Sequence, residues 1–185
     1  MGAKIETYLD CPSPYSFFAF QHLLRNREVL ASHGIEVEIF PVFLGGINAG
    51  SASRKPQRVA TYLKANYPRD RFEKTFLLYW TYMFYRHIDL SKPENMMALL
   101  REEKYSDVEI ETIMEGAQTP EGKKALADRT KEALDRGAFG APWFWVTNAQ
   151  GKAEPFFGSD RFHYMWQFLG IPFQDVEIIA KGAKL

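Results

Sequence analysis

Asp10-Cys11-Pro12-Ser13-Pro14-Tyr15-Ser16-Phe17-Phe18 stands between an extended-looking segment, Lys4 to Leu9, and a run with helical spacing of apolar residues. Proline is tolerated in the first turn of a helix, where the amides have no intrahelical acceptor anyway, so the pattern predicts a helix from Pro14 to about His33. His33-Gly34 supplies the stop. The stretch is therefore a strand-to-helix junction carrying two serine hydroxyls and the chain's lone cysteine.

Working outward, Glu36 to Phe43 reads as a second strand, parallel to the first because a helix separates them, which makes a right-handed βαβ unit. Leu44 to Pro56 is rich in Gly, Ser and Asn and reads as a loop. Gln57 to Gly137 reads as almost wholly helical, with start signals at Ser91/Glu94, Ser106/Glu109 and Thr119-Pro120. Trp143 to Thr147 and about Glu154 to Phe157 read as strands around a turn at Asn148 to Gly151. Ser159-Asp160 would then cap a helix whose apolar positions are Phe162, Met165, Trp166 and Leu169, closing at Gly170. The order βαβ, helices, ββα predicts an α/β thioredoxin-like fold with an α-helical insertion. Its thioredoxin-like domain takes residues 1–56 and 138–185, and its inserted helical subdomain takes 57–137.

At 185 residues and 46% hydrophobic content, the chain is long enough for one sizeable core. Lys plus Arg and Asp plus Glu are 23 each, so no global field favours nucleic acid or an anionic membrane. The absence of a second cysteine and of a signal-like opening segment predicts a reducing, intracellular setting, and no apolar run is long enough to insert into a membrane. The four histidines lack metal-cage spacing, so no metal is expected. Ala183-Lys184-Leu185 has the small-basic-Leu form of a peroxisomal address.

A helix N-terminus favours a thiolate, because unpaired amides and the macrodipole present positive charge there. Disulfide oxidoreductases of this fold place Cys-x-x-Cys at that point. Here the four residues are Ser13-Pro14-Tyr15-Ser16, and Cys11 lies two residues too early, so disulfide exchange is not expected. Two readings of Ser13 stand side by side. It is a helix cap, worth about 1 kcal/mol, or it donates a hydrogen bond to a thiolate brought in by a ligand. Two further stretches bear on the choice. Gly137 to Trp143 places Ala141-Pro142 before a strand, where a cis bond would expose main-chain groups to a peptide. Phe157 to Arg161 offers Ser159 and Asp160 at a turn suited to a carboxylate and an ammonium group.

"SPYSFF" (13–18), "VFLGGI" (42–47), "GAFGAPWF" (137–144) and "FFGSDRF" (156–162), in that order, resemble the kappa class of glutathione transferases and the related 2-hydroxychromene-2-carboxylate isomerases. The resemblance covers nearly the whole chain. It implies glutathione as cosubstrate, Ser13 as catalytic hydroxyl, Ala141 before cis-Pro142 as partner of the cysteinyl part, and Ser159 with Asp160 as holders of the γ-glutamyl end. It also implies a small electrophilic second substrate, a homodimer, and a peroxisomal or mitochondrial location. With Ala183-Lys184-Leu185, the peroxisome is favoured over mitochondrion or cytoplasm. An asparagine contact usual after "GGI" is missing, with Ser53 its only stand-in, and the insertion looks some two dozen residues short near Pro56 to Arg58. The resemblance leaves transferase, isomerase and non-catalytic glutathione binder as separate outcomes. The aromatic run Phe76 to Tyr85 reads as core or interface packing, with an apolar substrate pocket as the alternative.

Overall fold

The computed structural model describes residues 2–43, 54–174, 177–178 and 181. Ser53, the "LGGI" segment and the terminal Ala183-Lys184-Leu185 lie outside the described residues. Strand β1 (Ala3–Leu9) alternates burial and then becomes fully buried, as a central strand covered on both faces must. It is followed by α1 (Pro14–Arg25), α2 (Arg27–Ser32) and β2 (Ile35–Pro41). Strands β1 and β2 pair in parallel, from Ala3 opposite Ile35 to Leu9 opposite Pro41.

The single helix expected over 14–33 is two. Asn26 sits at φ −96°, ψ 4° between them, and its side-chain amide donates to the His22 carbonyl at 2.8 Å. A short polar side chain that bonds the preceding turn competes with helix continuation, which is the physical reason for the break.

Five helices follow: α3 (Lys55–Asn66), α4 (Arg69–Trp80), α5 (Pro93–Glu102), α6 (Asp107–Gly116) and α7 (Pro120–Asp135). A π-helical turn, Thr81–Tyr85, continues α4. Helix α3 begins at Lys55, so the expected loop ends two residues early. The Ser106/Glu109 capping box forms, and the Thr119 hydroxyl accepts from the Gly122 amide. Ser91 does not cap α5: its backbone amide donates to Asp89 Oδ1 at 2.9 Å, and Lys92 takes the cap position before Pro93.

Strands β3 (Trp143–Thr147) and β4 (Ala153–Phe157) form the expected antiparallel hairpin, and β3 also runs antiparallel to β1. The sheet order is β2-β1-β3-β4. Helix α8 (Phe162–Leu169) ends at Gly170, whose φ of +68° is left-handed. A short pair that the sequence did not announce, β5 (Phe173–Gln174) with β6 (Glu177–Ile178), closes the described chain.

One hydrophobic core joins both parts of the molecule. Ile5, Leu9, Phe20, Ile39 and Phe144 from the βαβ and hairpin elements pack in one cluster with Leu63, Phe76, Trp80, Leu100 and Ile113 of the helical insertion. Tyr8, Phe40 and Trp143 form a smaller cluster with Ala133 of α7. Since successive strand residues face opposite ways, Tyr8 and Phe40 fall on the sheet face opposite Leu9 and Ile39.

Candidate functional site

The C-terminal end of β1 delivers the chain to Asp10, where three hydrogen bonds build the junction. The Ser13 amide donates to the Asp10 carbonyl at 3.0 Å. The Asp10 amide donates to Ser16 Oγ at 3.3 Å, and Gln57 Nε2 donates to Asp10 Oδ1 at 2.9 Å. Asp10, Ser16 and Gln57 are all buried. This interlock holds the strand end, the first turn of α1 and the start of α3 in one fixed relation.

Ser13 caps α1, with an extended backbone at φ −88°, ψ 117°. Its Oγ accepts from the Ser16 amide at 3.2 Å and donates to the Ala141 carbonyl at 3.1 Å. The cap reading is therefore correct, and the hydroxyl proton does a second job: it reaches a residue 128 positions away. Because Pro14 has no N–H and the Ser16 amide is taken, Tyr15 carries the first-turn amide that by position lacks an intrahelical acceptor.

The Ala141-Pro142 bond is cis, as the resemblance implies. Beyond it, the Pro142 carbonyl accepts from the Gly158 amide at 3.1 Å, which ties the loop to the turn carrying Ser159 and Asp160. Ser13, Ala141-Pro142 and Gly158-Ser159-Asp160 thus follow one another along a continuous hydrogen-bonded path. Gly158 adopts φ +94°, a left-handed conformation that strains any other residue and so favours glycine in the turn. Gly140 lets the Phe157 ring lie against the loop, where a Cβ would stand 2.7 Å from it.

The expected cap at Ser159-Asp160 is corrected. Helix α8 starts at Phe162 with Arg161 in the cap position and no side-chain cap bond. The Asp160 carboxylate is exposed and pairs with Arg161 Nε at 3.3 Å. Its side chain is thus not spent on the helix, which keeps it accessible to a ligand.

Cys11 is fully buried, and burial, with the Asp10 charge adding to it, pushes its thiol well above the usual range. A thiol held protonated is neither a nucleophile nor a redox partner. Among the described residues, no group of three His, Cys, Asp or Glu side chains is placed to hold a metal, and no helix is long and apolar enough to cross a membrane.

The aromatic run divides. Phe76, Tyr79, Trp80 and Tyr82 are core, whereas Phe84 and Tyr85 are exposed. Tyr85 meets Phe17 of α1 edge-on at 6.4 Å, and Tyr15 and Phe18 on α1 and Phe139 before the cis bond are exposed too. Helix α1, the π turn and the loop before the cis bond therefore each carry an uncovered ring.

The sequence reading missed Trp80 and Gln57. The Trp80 indole N–H donates to the Ser13 carbonyl at 2.9 Å. A tryptophan inside a buried run needs an acceptor for its N–H, and that was the available signal. Nothing in the sequence pairs Gln57 with Asp10.

Comparison with known proteins bears on the fold and the family. The family model for the DsbA-like thioredoxin domain matches residues 4–170. Human glutathione S-transferase kappa 1 is 24% identical, covering 90% of each chain, and glutathione S-transferase kappa 2 of Caenorhabditis elegans is 25% identical, covering 92% of this chain and 93% of the other. A solved 2-hydroxychromene-2-carboxylate isomerase superposes with a TM-score of 0.65 at 13% identity, over 90% of this chain and 94% of that one, a likeness of fold. The chain belongs to the DsbA-like thioredoxin domain family, and its curated relatives are glutathione S-transferases of the kappa class.

Proposed function

We propose that the protein is a kappa-type glutathione transferase, with Ser13 as the group that keeps the glutathione sulfur ionised. The observation that carries this reading is the Ser13 hydroxyl, at the end of α1 where related folds place a thiol, within 3.1 Å of the carbonyl before the cis-proline. The enzymes named for the kappa class, similar over nine-tenths of the chain, support it.

The chemistry follows from the contacts. In the free protein the Ser13 O–H is engaged by Ala141 O. The cysteinyl N–H of glutathione donates to that carbonyl instead, and the hydroxyl turns to the sulfur. The Tyr15 amide and the helix dipole add partial positive charge, and the thiol loses its proton to solvent. The γ-glutamyl ammonium meets the Asp160 carboxylate and its carboxylate meets the amides of the Ser159 turn. The thiolate then attacks an electrophile held against the exposed rings of Tyr15, Tyr85 and Phe139, forming a carbon–sulfur bond and expelling the leaving group. Ser53 belongs to this reading as a further glutathione contact.

Calorimetric titration with glutathione, combined with turnover of an aryl halide, tests it. Ser13→Ala should bind glutathione yet lose thiolate and turnover, on the order of a hundredfold for one lost charge-assisted donor. Asp160→Ala should weaken binding. Full turnover in Ser13→Ala removes the proposed role. A chromene carboxylate as substrate separates glutathione-dependent isomerisation, which needs the same thiolate, from transfer. Glutathione binding without either activity would instead make the protein a binding module. A homodimer and a peroxisomal location complete the proposal; light scattering tests the first, and imaging of N-terminally tagged chains with and without residues 183–185 tests the second.

A further inference from the structure

The Ser13–Pro14 peptide has no N–H, so its carbonyl is the one hydrogen-bonding group by which that peptide can be held. Two donors reach the carbonyl oxygen. The Phe17 amide does so at 3.3 Å, beyond the usual N–H···O range, and Trp80 Nε1 does so at 2.9 Å, the shorter of the two. The indole is itself immobile: it is fully buried, with ring centroids of Phe76 at 4.8 Å and of Phe17 and Phe20 at 5.9 Å each. Trp80 ends α4, immediately before the π-helical turn, and π turns recur where a helix must aim a residue at a functional site.

Resting on the transferase reading, we propose that Trp80 is a positioning residue for Ser13: its indole N–H, by holding the Ser13 carbonyl, sets where Ser13 Oγ lies between the Ala141 carbonyl and an incoming sulfur. The peptide plane that Trp80 holds fixes ψ of Ser13, and with it the direction in which the Cα–Cβ bond points. A donor in the helical insertion thereby aims a hydroxyl that belongs to the first βαβ unit. Trp80 is fully buried, so its N–H bears on an incoming sulfur only through Ser13.

Two variants remove the N–H and keep an aromatic ring in place. Trp80→Phe does so with a smaller ring, and β-(3-benzothienyl)alanine at position 80 does so with the bicyclic shape retained, which guards against a failure of packing. The thiolate content of bound glutathione, read by ultraviolet absorbance across pH, should fall about threefold to tenfold at neutral pH in both variants, as loss of one net hydrogen bond implies. Affinity for glutathione should change less. In a Ser13→Ala background the same replacements should produce no further fall, because the group through which Trp80 acts is gone. An equal fall in that background, or unchanged thiolate in the single variants, overturns the proposal. A crystal structure of the benzothienyl protein without ligand provides a readout that does not depend on glutathione: the Ser13 Oγ to Ala141 O contact should lengthen out of hydrogen-bond range. If the wild-type protein binds no glutathione, the transferase reading fails, and an unmoved Ser13 Oγ in that crystal overturns the Trp80 proposal separately.

Discussion

At the scale of single residues, His22 shows how burial turns a titratable group into a pH sensor of stability. It lies on α1, stacked on Phe162 of α8 at 4.2 Å and near Trp166 at 6.0 Å, and its Nε2 is buried with no hydrogen-bond partner among the described residues. Burial, with the nearby Arg25 charge adding to it, lowers its pKa from the ordinary 6.5. The unfolded chain therefore binds a proton more readily than the native one. Stability from this site is fully present above about pH 7 and is lost as pH falls through 6.5 toward the depressed native value. The expected outcome is a melting temperature that drops between about pH 7.5 and pH 5.5. In His22→Phe, which keeps the stacking, that slope should be reduced; an unaltered slope would show that other groups set it. At this scale the candidate site was partly legible as geometry. Ser13, Ala141, Pro142, Ser159 and Asp160 stand on local motifs, and local motifs are written consecutively in a chain. Trp80 and Gln57 escaped because their partners are 67 and 47 residues away.

At the scale of elements, α7 covers the sheet face opposite the main core, and the contact is unusually polar for an inner layer. Arg136, which caps α7, donates from Nη1 to the Tyr8 hydroxyl at 2.7 Å and pairs with Glu6 at 3.2 Å, while its Nη2 pairs with Glu132 at 2.9 Å. The Tyr8 hydroxyl in turn donates to Glu132 at 3.1 Å, and burial raises its pKa out of the ordinary range. Tyr8 has no exposed surface, so its ring and hydroxyl depend wholly on protein partners. Removing the guanidinium in Arg136→Leu should cost about 1–3 kcal/mol in urea unfolding, since partly buried acceptors then lose their donor. Arg136→Lys should recover little, because one compact ammonium lacks the planar fork that sets Nη1 toward Tyr8 and Glu6 and Nη2 toward Glu132. Full recovery by lysine would mean that charge alone matters there. Strands and capped helices were readable because period-2 alternation, Ser106/Glu109 and Thr119-Pro120 are local. The break at Asn26 rests on a local side-chain bond that many helices tolerate, whereas the π turn and the β5–β6 pair depend on competition between near-equal backbone alternatives that tertiary contacts decide.

At the scale of the whole molecule, the division into a thioredoxin-like part and a helical insertion describes the order of the chain more than its mechanics. The main core draws from both parts, and two hydrogen bonds from the insertion, Gln57 to Asp10 and Trp80 to Ser13, end on the junction that carries the site. A site aimed from two sides stays aimed only if the sides do not unfold independently. The four tryptophans make this measurable: three, Trp143, Trp145 and Trp166, belong to the thioredoxin-like part and one, Trp80, to the insertion, where most of the helix lies. Tryptophan fluorescence therefore weights the thioredoxin-like part and far-ultraviolet circular dichroism the insertion, and their denaturant transitions should coincide. Gln57→Leu, which deprives a buried carboxylate of a donor across the boundary, should lower both midpoints together by an amount equivalent to about 1–2 kcal/mol. Separated transitions, or a shift seen by circular dichroism alone, would mean that the helices form a unit of their own and that the junction at Ser13 is held by the βαβ unit without them.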